Sequence, residues 1–332
     1  MPGTNPAEAM RIIAGELPGF PHLAELPARG PGADLTGRTA ALLVDMPVEV
    51  TTRGWRLAER PGRDVTRARS MLSSDLDVLE EVLQGYTGPV KIQLCGPWTL
   101  AATLELTRTM DAALSDHGAV ADLAASLAEA ASAHALDVAK RLPGTAVVVQ
   151  FDEPALPAVA AGQVPTASGL SRLAAIEADT IRERLATVLA GIPGYTVVHC
   201  CATTAPFGII RTTGASAVSF DLSQLRRGEE DAVAEAAEAG MGLLVGAVPA
   251  VNAAFEPDRG SSGPAGEHGA AQRVVRLWRR LGLAPDVDQV VITPGCGLTG
   301  ATPAWARAAL ARCREAAAML PELIQETEGK TR

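Results

Sequence analysis

The chain of 332 residues is long enough for one large domain or two smaller ones, and it is 47% hydrophobic but only 3% aromatic, so its core is built from Ala, Val and Leu, as where helices pack on a sheet. A net charge of -9 argues against non-specific nucleic-acid binding, and there is neither a signal peptide nor an apolar run long enough to span a membrane. Five cysteines, an odd number without scaffold spacing, point to the reducing cytoplasm and to thiols used as ligands or core residues.

The chain opens with a loop that runs into a helix, with Asn5 or Thr4 as N-cap and Pro6 in the first turn. Arg38–Asp45 reads as the first buried strand, and 64–83 as a helix stopped at Gly85. Val90–Cys95 is the second strand, followed by Gly96-Pro97-Trp98. An Ala-rich helix fills 120–142, and the third strand, Thr145–Asp152, ends in Asp152-Glu153-Pro154. Residues 168–190 read as helical. Tyr195–Cys201 is the fourth strand, Ala215–Asp221 the fifth and Met241–Val248 the sixth, with a helix at 228–239 between the last two. Residues 256–269, rich in Gly, Ser and Pro, read as a mobile loop leading to a helix through Trp278. Asp288–Thr293 is the seventh strand, followed by Pro294-Gly-Cys-Gly297, and a last helix runs from Pro303 past Cys313.

Continuous apolar strands alternating with helices imply a parallel sheet covered by helices. Most of these strands end in a reactive side chain or a Gly/Pro turn, which is where (β/α)8 TIM-type barrels place their chemistry. The expected fold is a single barrel over 1–332. Seven strands are counted, so the eighth would precede Met1, or the barrel is open.

Four residues at strand ends are candidate metal ligands: His199, Cys201, Asp221 and Cys296. Residues i and i+2 share a face of a strand, so His199 and Cys201 point together while Cys200 points away. An imidazole beside a thiol suits zinc, although buried His and Cys are also ordinary core residues. Cys296 lies between two glycines that leave the backbone free to aim it inward. Asp221 reads equally well as a turn or capping acid. Asp152 and Glu153 are candidates for binding a substrate ammonium or moving a proton, against a reading as one capping and one solvated acid. Cys95, Cys200 and Cys313 read as core residues, and His22, His117, His134 and His268 as solvated.

These motifs together resemble cobalamin-independent methionine synthase. His199-x-Cys201, an acid ending the next strand, and Pro-Gly-Cys296-Gly-Leu resemble its zinc site, written there as His-x-Cys, Glu and Asp-Cys-Gly-Leu. Gln150-Phe-Asp-Glu-Pro-Ala-Leu156 looks like its Gln-Ile-Asp-Glu-Pro-Ala-Leu segment, Lys91–Thr99 like the stretch ending in Thr-Gly-Pro-x-Thr, and Pro2-Gly-Thr4 like the tail of Gly-Ser-Phe-Pro-x-Thr. The resemblance implies a barrel shared with uroporphyrinogen decarboxylase-like proteins. It also implies a bound Zn2+ that lowers the pKa of the homocysteine thiol, and methyl transfer to that thiol giving methionine. Asp152 is the implied catalytic acid and, with Glu153, the implied holder of the amino-acid part.

This chain departs from the pattern in four ways. It covers only the catalytic half of the full-length enzyme. Asp221 replaces Glu, so its carboxylate reaches about 1.5 Å less far, and Gly295 stands where the family has Asp. A His that the family carries in an Asp-x-His-Ser-Pro turn is missing from Ala247-Val-Pro-Ala-Val-Asn252. Methyl-folate cleavage needs its leaving amine protonated, so the missing His makes a methylated corrinoid the alternative donor, as in short core-type enzymes. A uroporphyrinogen decarboxylase-like enzyme, which needs no metal, and a degenerate barrel that binds zinc or a thiol without turnover are the rival readings.

Overall fold

In the computed structural model, which describes residues 1–251, 267–283 and 286–329, helix α1 (Pro6–Glu16) begins as expected. Asn5 accepts hydrogen bonds from the N–H groups of Ala7 and Glu8 at 3.0 and 3.2 Å, and Pro6 fills the first turn. The expected strand at Arg38–Asp45 does not form. Asp34 accepts from the Gly37 N–H at 2.8 Å and starts helix α2 (Leu35–Ala40), after which the chain turns through Asp45 at φ 55°. Gly37, Arg38, Thr39 and Ala40 are all buried, and a run buried on every side does not tell a strand from a short helix. A short antiparallel hairpin follows, β1 (Val48–Thr51) and β2 (Gly54–Leu57), and then α3 (Arg63–Val82).

Six strands form one parallel sheet in sequential order: β3 (Pro89–Cys95), β4 (Ala146–Asp152), β5 (Tyr195–Cys200), β6 (Ala217–Asp221), β7 (Gly242–Val248) and β8 (Val290–Pro294). Helices lie in the connections: α4 (Pro97–Thr103), α5 (His117–Arg141), α6 (Leu156–Ala160), α7 (Ala178–Ala190), α8 (Phe207–Arg211), α9 (Glu230–Glu238) and α10 (Glu267–Leu281), with α11 (Pro303–Gly329) after β8. Outside β3, the segment 21–23 takes the place expected of a strand: the Leu23 N–H donates to the Lys91 carbonyl at 2.9 Å and the Lys91 N–H to that of Pro21 at 3.0 Å. Among the described residues no ladder joins β8 back to this edge, so the eight-stranded closure expected from the sequence is met only in part. The two ends of the array are drawn together by helices, where Glu16 of α1 accepts from Arg307 at 2.7 Å and Arg314 at 3.1 Å of α11.

Side-chain alternation divides the sheet. One face packs under the helices in the main core. On the other, Val148, Val197, Ala217 and Leu244 form a separate apolar plug, with Phe20 and Val291 against it. Two residues further along their strands stand Gln150, His199 and Ser219, all buried and all polar. Polar groups therefore begin where the plug ends, toward the carboxyl ends of the strands, which is where barrel chemistry is built.

Other expectations shift in detail. The helix expected over 168–190 is α7 alone; residues 165–172 instead make a tight loop bridged between Pro165 and Arg172. Of the expected mobile loop at 256–269, residues 256–266 lie outside the described residues, and 267–269 are the first turn of α10. Among the described residues no helix is long and apolar enough to cross a membrane.

Candidate metal centre

Strand β5 delivers His199 on its inner face and Cys201 one residue past its end, while Cys200 turns outward and is 1% exposed. The turn after β8 brings Cys296 to the same place. Ligand atoms of His199, Cys201 and Cys296 all lie within 4.8 Å of one another, and the two sulfurs are 3.1 Å apart. One imidazole and two thiols are a donor set that zinc uses in catalytic sites, where a fourth position stays open for substrate.

The imidazole is held from behind. His199 Nδ1 is 2.8 Å from Ser219 Oγ, both residues being buried, which leaves Nε2 as the nitrogen free to bind a metal. With Nε2 as ligand, Nδ1 carries the proton and donates it to Ser219, so the hydroxyl fixes both tautomer and ring orientation. Ser219→Ala is expected to lower zinc affinity about 10- to 100-fold, measured by competition with a chromophoric chelator, without unfolding the protein. The two thiols lie within hydrogen-bonding distance of each other. The hydrogen bond from Cys201, then that from His199, holds Cys296 down to about 4, and the same Cys296 contact pushes Cys201 up.

Asp221, the fourth expected ligand, stands outside this group of three. Its Oδ1 accepts from the Ser223 N–H and Oγ at 2.8 and 2.7 Å, the geometry of a turn acid. Its carboxylate also packs on Gly295, where a Cβ would come within 2.8 Å of Asp221 Cγ.

The two neighbouring acids separate onto opposite faces. Asp152 points inward and is 9% exposed; its Oδ1 accepts from Gln150 Nε2 at 2.7 Å, and its Oδ2 has no hydrogen-bond partner among the described residues. Burial raises its pKa, opposed first by His199 and then by Lys91. Glu153 is fully buried and faces α4. Its carboxylate accepts from the Trp98 and Thr99 N–H groups at 2.9 and 2.8 Å and from Thr99 Oγ1 at 2.7 Å. The expected role of Glu153 in holding substrate therefore has no free oxygen behind it; the residue clamps the start of α4 behind the site.

Burial pushes Glu153 up to about 7 against the pull of these hydrogen bonds. An acid whose folded pKa is raised costs stability as pH climbs from its unfolded value toward its folded one, here from 4.5 to about 7. That shift is worth on the order of 3 kcal/mol. Urea midpoints are expected to fall over this window in the wild type, and Glu153→Gln is expected to remove that part of the slope.

The structure adds residues that the sequence reading left aside. Lys91 Nζ donates to Gln150 Oε1 at 2.9 Å. Glu25, with 24% of its side chain exposed, lies 3.7 Å from Arg38, which is 3% exposed. Burial raises Glu25, opposed by Arg38 and reinforced by Asp152, and burial lowers Lys91, opposed by Asp152 and Glu25. His22, expected to be solvated, is half-buried on the β3 edge and its pKa is depressed by burial, Lys91 and the chain's amino terminus. His134 is buried in α5 and held down at about 4 by burial. Lys91, a charge inside an apolar strand, is a signal of this polar interior that the sequence carries, as are Gln93 and Gln150.

Fold and site together define an incomplete α/β barrel with one imidazole and two thiols, a set that could hold a metal, gathered at the carboxyl ends of its strands. Residues 2–319 match the family described as the cobalamin-independent synthase, catalytic domain, and the chain belongs to that family. In fold it is similar to a B12-independent methionine synthase from Shewanella sp. W3-18-1, solved in complex with selenomethionine; the TM-score is 0.61 at 14% identity, covering 97% of this chain and 89% of that one. No curated protein matches it in sequence.

Proposed function

We propose that this chain is a zinc-dependent methyltransferase that methylates the thiol of homocysteine to give methionine, or a closely related thiol to give the corresponding methyl thioether. The observation that carries the reading is the convergence of His199, Cys201 and Cys296, with ligand atoms within 4.8 Å. The donor set fits zinc with one position left for a substrate sulfur. Zinc bound there would make the substrate sulfur a thiolate at neutral pH.

The protein's own groups do the rest. His199, Cys201 and Cys296 hold the metal, and Ser219 orients His199. Asp152, with an uncommitted oxygen in the same interior, accepts hydrogen bonds from the substrate ammonium; Glu25, near enough for its charge to act on Asp152 and Lys91, is the second carboxylate available to that ammonium. The apolar plug keeps water from entering beneath. The substrate sulfur then forms a bond to the donor methyl carbon, the bond from that carbon to the donor breaks, and the leaving group keeps the electron pair.

Family membership favours a methylated reduced folate as donor, whereas nothing in the matches supports a corrinoid. The leaving nitrogen of a folate must gain a proton. The stretch that lacks the family's His ends its described part at Val251, and Asn252 lies outside the described residues. Thiolate ligands fit the reducing cytoplasm. Incubating the zinc-loaded protein with homocysteine and, in parallel, methyltetrahydrofolate or methylcobalamin tests both parts. Methionine formed from the folate supports the reading, transfer from methylcobalamin alone overturns the donor, and transfer from neither overturns the function.

A further inference from the structure

Lys91, Gln150 and Asp152 form a chain of hydrogen bonds inside the barrel, from β3 to β4. Its direction is fixed by chemistry. A lysine ammonium has three donors and no acceptor, so the group it meets at 2.9 Å must be the carbonyl end of the Gln150 amide. That turns the amide nitrogen toward Asp152, where it donates to Oδ1 at 2.7 Å. Gln150 and Asp152 are two residues apart on one strand and share its inner face, so the contact needs no backbone distortion. Oδ1 is thereby committed and the side chain held in one rotamer, while Oδ2 is left without a partner among the described residues.

We infer that Lys91 is a positioning residue that acts through the Gln150 amide to present Asp152 Oδ2 to the ammonium group of the substrate. This rests on the reading of the site given above. Remove the ammonium of Lys91 and the Gln150 amide can rotate; its oxygen would then face Asp152, and the aspartate would lose both its orientation and its donor. The metal triad lies on other strands and is untouched.

The test uses the zinc-loaded full chain and two thiols, homocysteine and 4-mercaptobutyrate, which lacks the amino group. Lys91→Met is expected to weaken homocysteine binding about 10- to 100-fold, the range for a hydrogen bond to a charged group. Zinc stoichiometry and 4-mercaptobutyrate affinity should stay at wild-type values. Gln150→Glu should give the same selective loss although it keeps a partner for Lys91, because a carboxylate cannot donate to Asp152. Unchanged homocysteine affinity in both variants, or equal losses for both thiols, would overturn the assignment. A wild-type protein that takes up zinc but binds neither thiol would instead overturn the underlying reading of the site.

Discussion

Cys296→Ser is expected to abolish stoichiometric zinc binding and, with it, methyl transfer. Cys296 is the candidate ligand supplied from the far strand, and hydrogen bonds from Cys201 and His199 lower the pKa of its thiol, which favours the thiolate that zinc needs. A serine hydroxyl stays protonated there and binds zinc poorly. His199 and Cys201 alone leave a two-ligand site. The loss of affinity should exceed the roughly 100-fold upper end found for removing a mere supporting partner. The controls are as informative as the variant. Cys200 and Cys313 are buried away from the triad, so Cys200→Ser and Cys313→Ser should cost stability yet keep one zinc per chain. Asp221→Asn should also keep it, because its Oδ1 is engaged by Ser223 and the residue stands outside the triad. Metal analysis after gel filtration reads all four.

Asp152→Asn is the second large effect, and it moves function and stability in opposite directions. Replacing a buried charge that meets a substrate ammonium is expected to cost about 2–5 kcal/mol of homocysteine binding, roughly 30-fold or more. The loss should appear as a raised KM, with zinc content unchanged. For stability the sign is reversed. Asp152 has its folded pKa raised, with burial as the largest cause, so its ionised form opposes folding once pH exceeds the unfolded value. Removing that charge is expected to raise the thermal midpoint at pH 7 and to shrink the advantage as pH falls toward 4. Destabilised charge kept at a site that needs it is the usual trade of stability for activity.

How legible this was in the sequence depends on how each residue signals. His199 and Cys201 were readable because they sit at i and i+2 at the end of an apolar strand, and Cys296 because two glycines free its turn. The six parallel strands were readable from their continuous apolar runs. The edge segment 21–23 was not, since a single bridge from His22 to Lys91, in a short stretch set between Pro21 and Pro27, carries no periodicity. Arg38–Asp45 reads as a strand because its middle is a continuous apolar run, which a short helix with Gly37–Ala40 buried accommodates equally well. The division of labour between Asp152 and Glu153 was available in principle: adjacent residues on a strand face opposite ways, so only one could reach the interior. Asp221 falls outside the triad in keeping with its shorter reach, whereas the Lys91–Gln150–Asp152 chain needed coordinates, because it links two strands.

X-ray absorption at the zinc edge, recorded on the purified chain before and after adding homocysteine, tests the metal site and its chemistry in one experiment. The expected result is one zinc per chain with two sulfur neighbours and one imidazole from the protein, and a third sulfur once homocysteine is present. A chain that retains no zinc, or a sulfur count that homocysteine leaves unchanged, would contradict it.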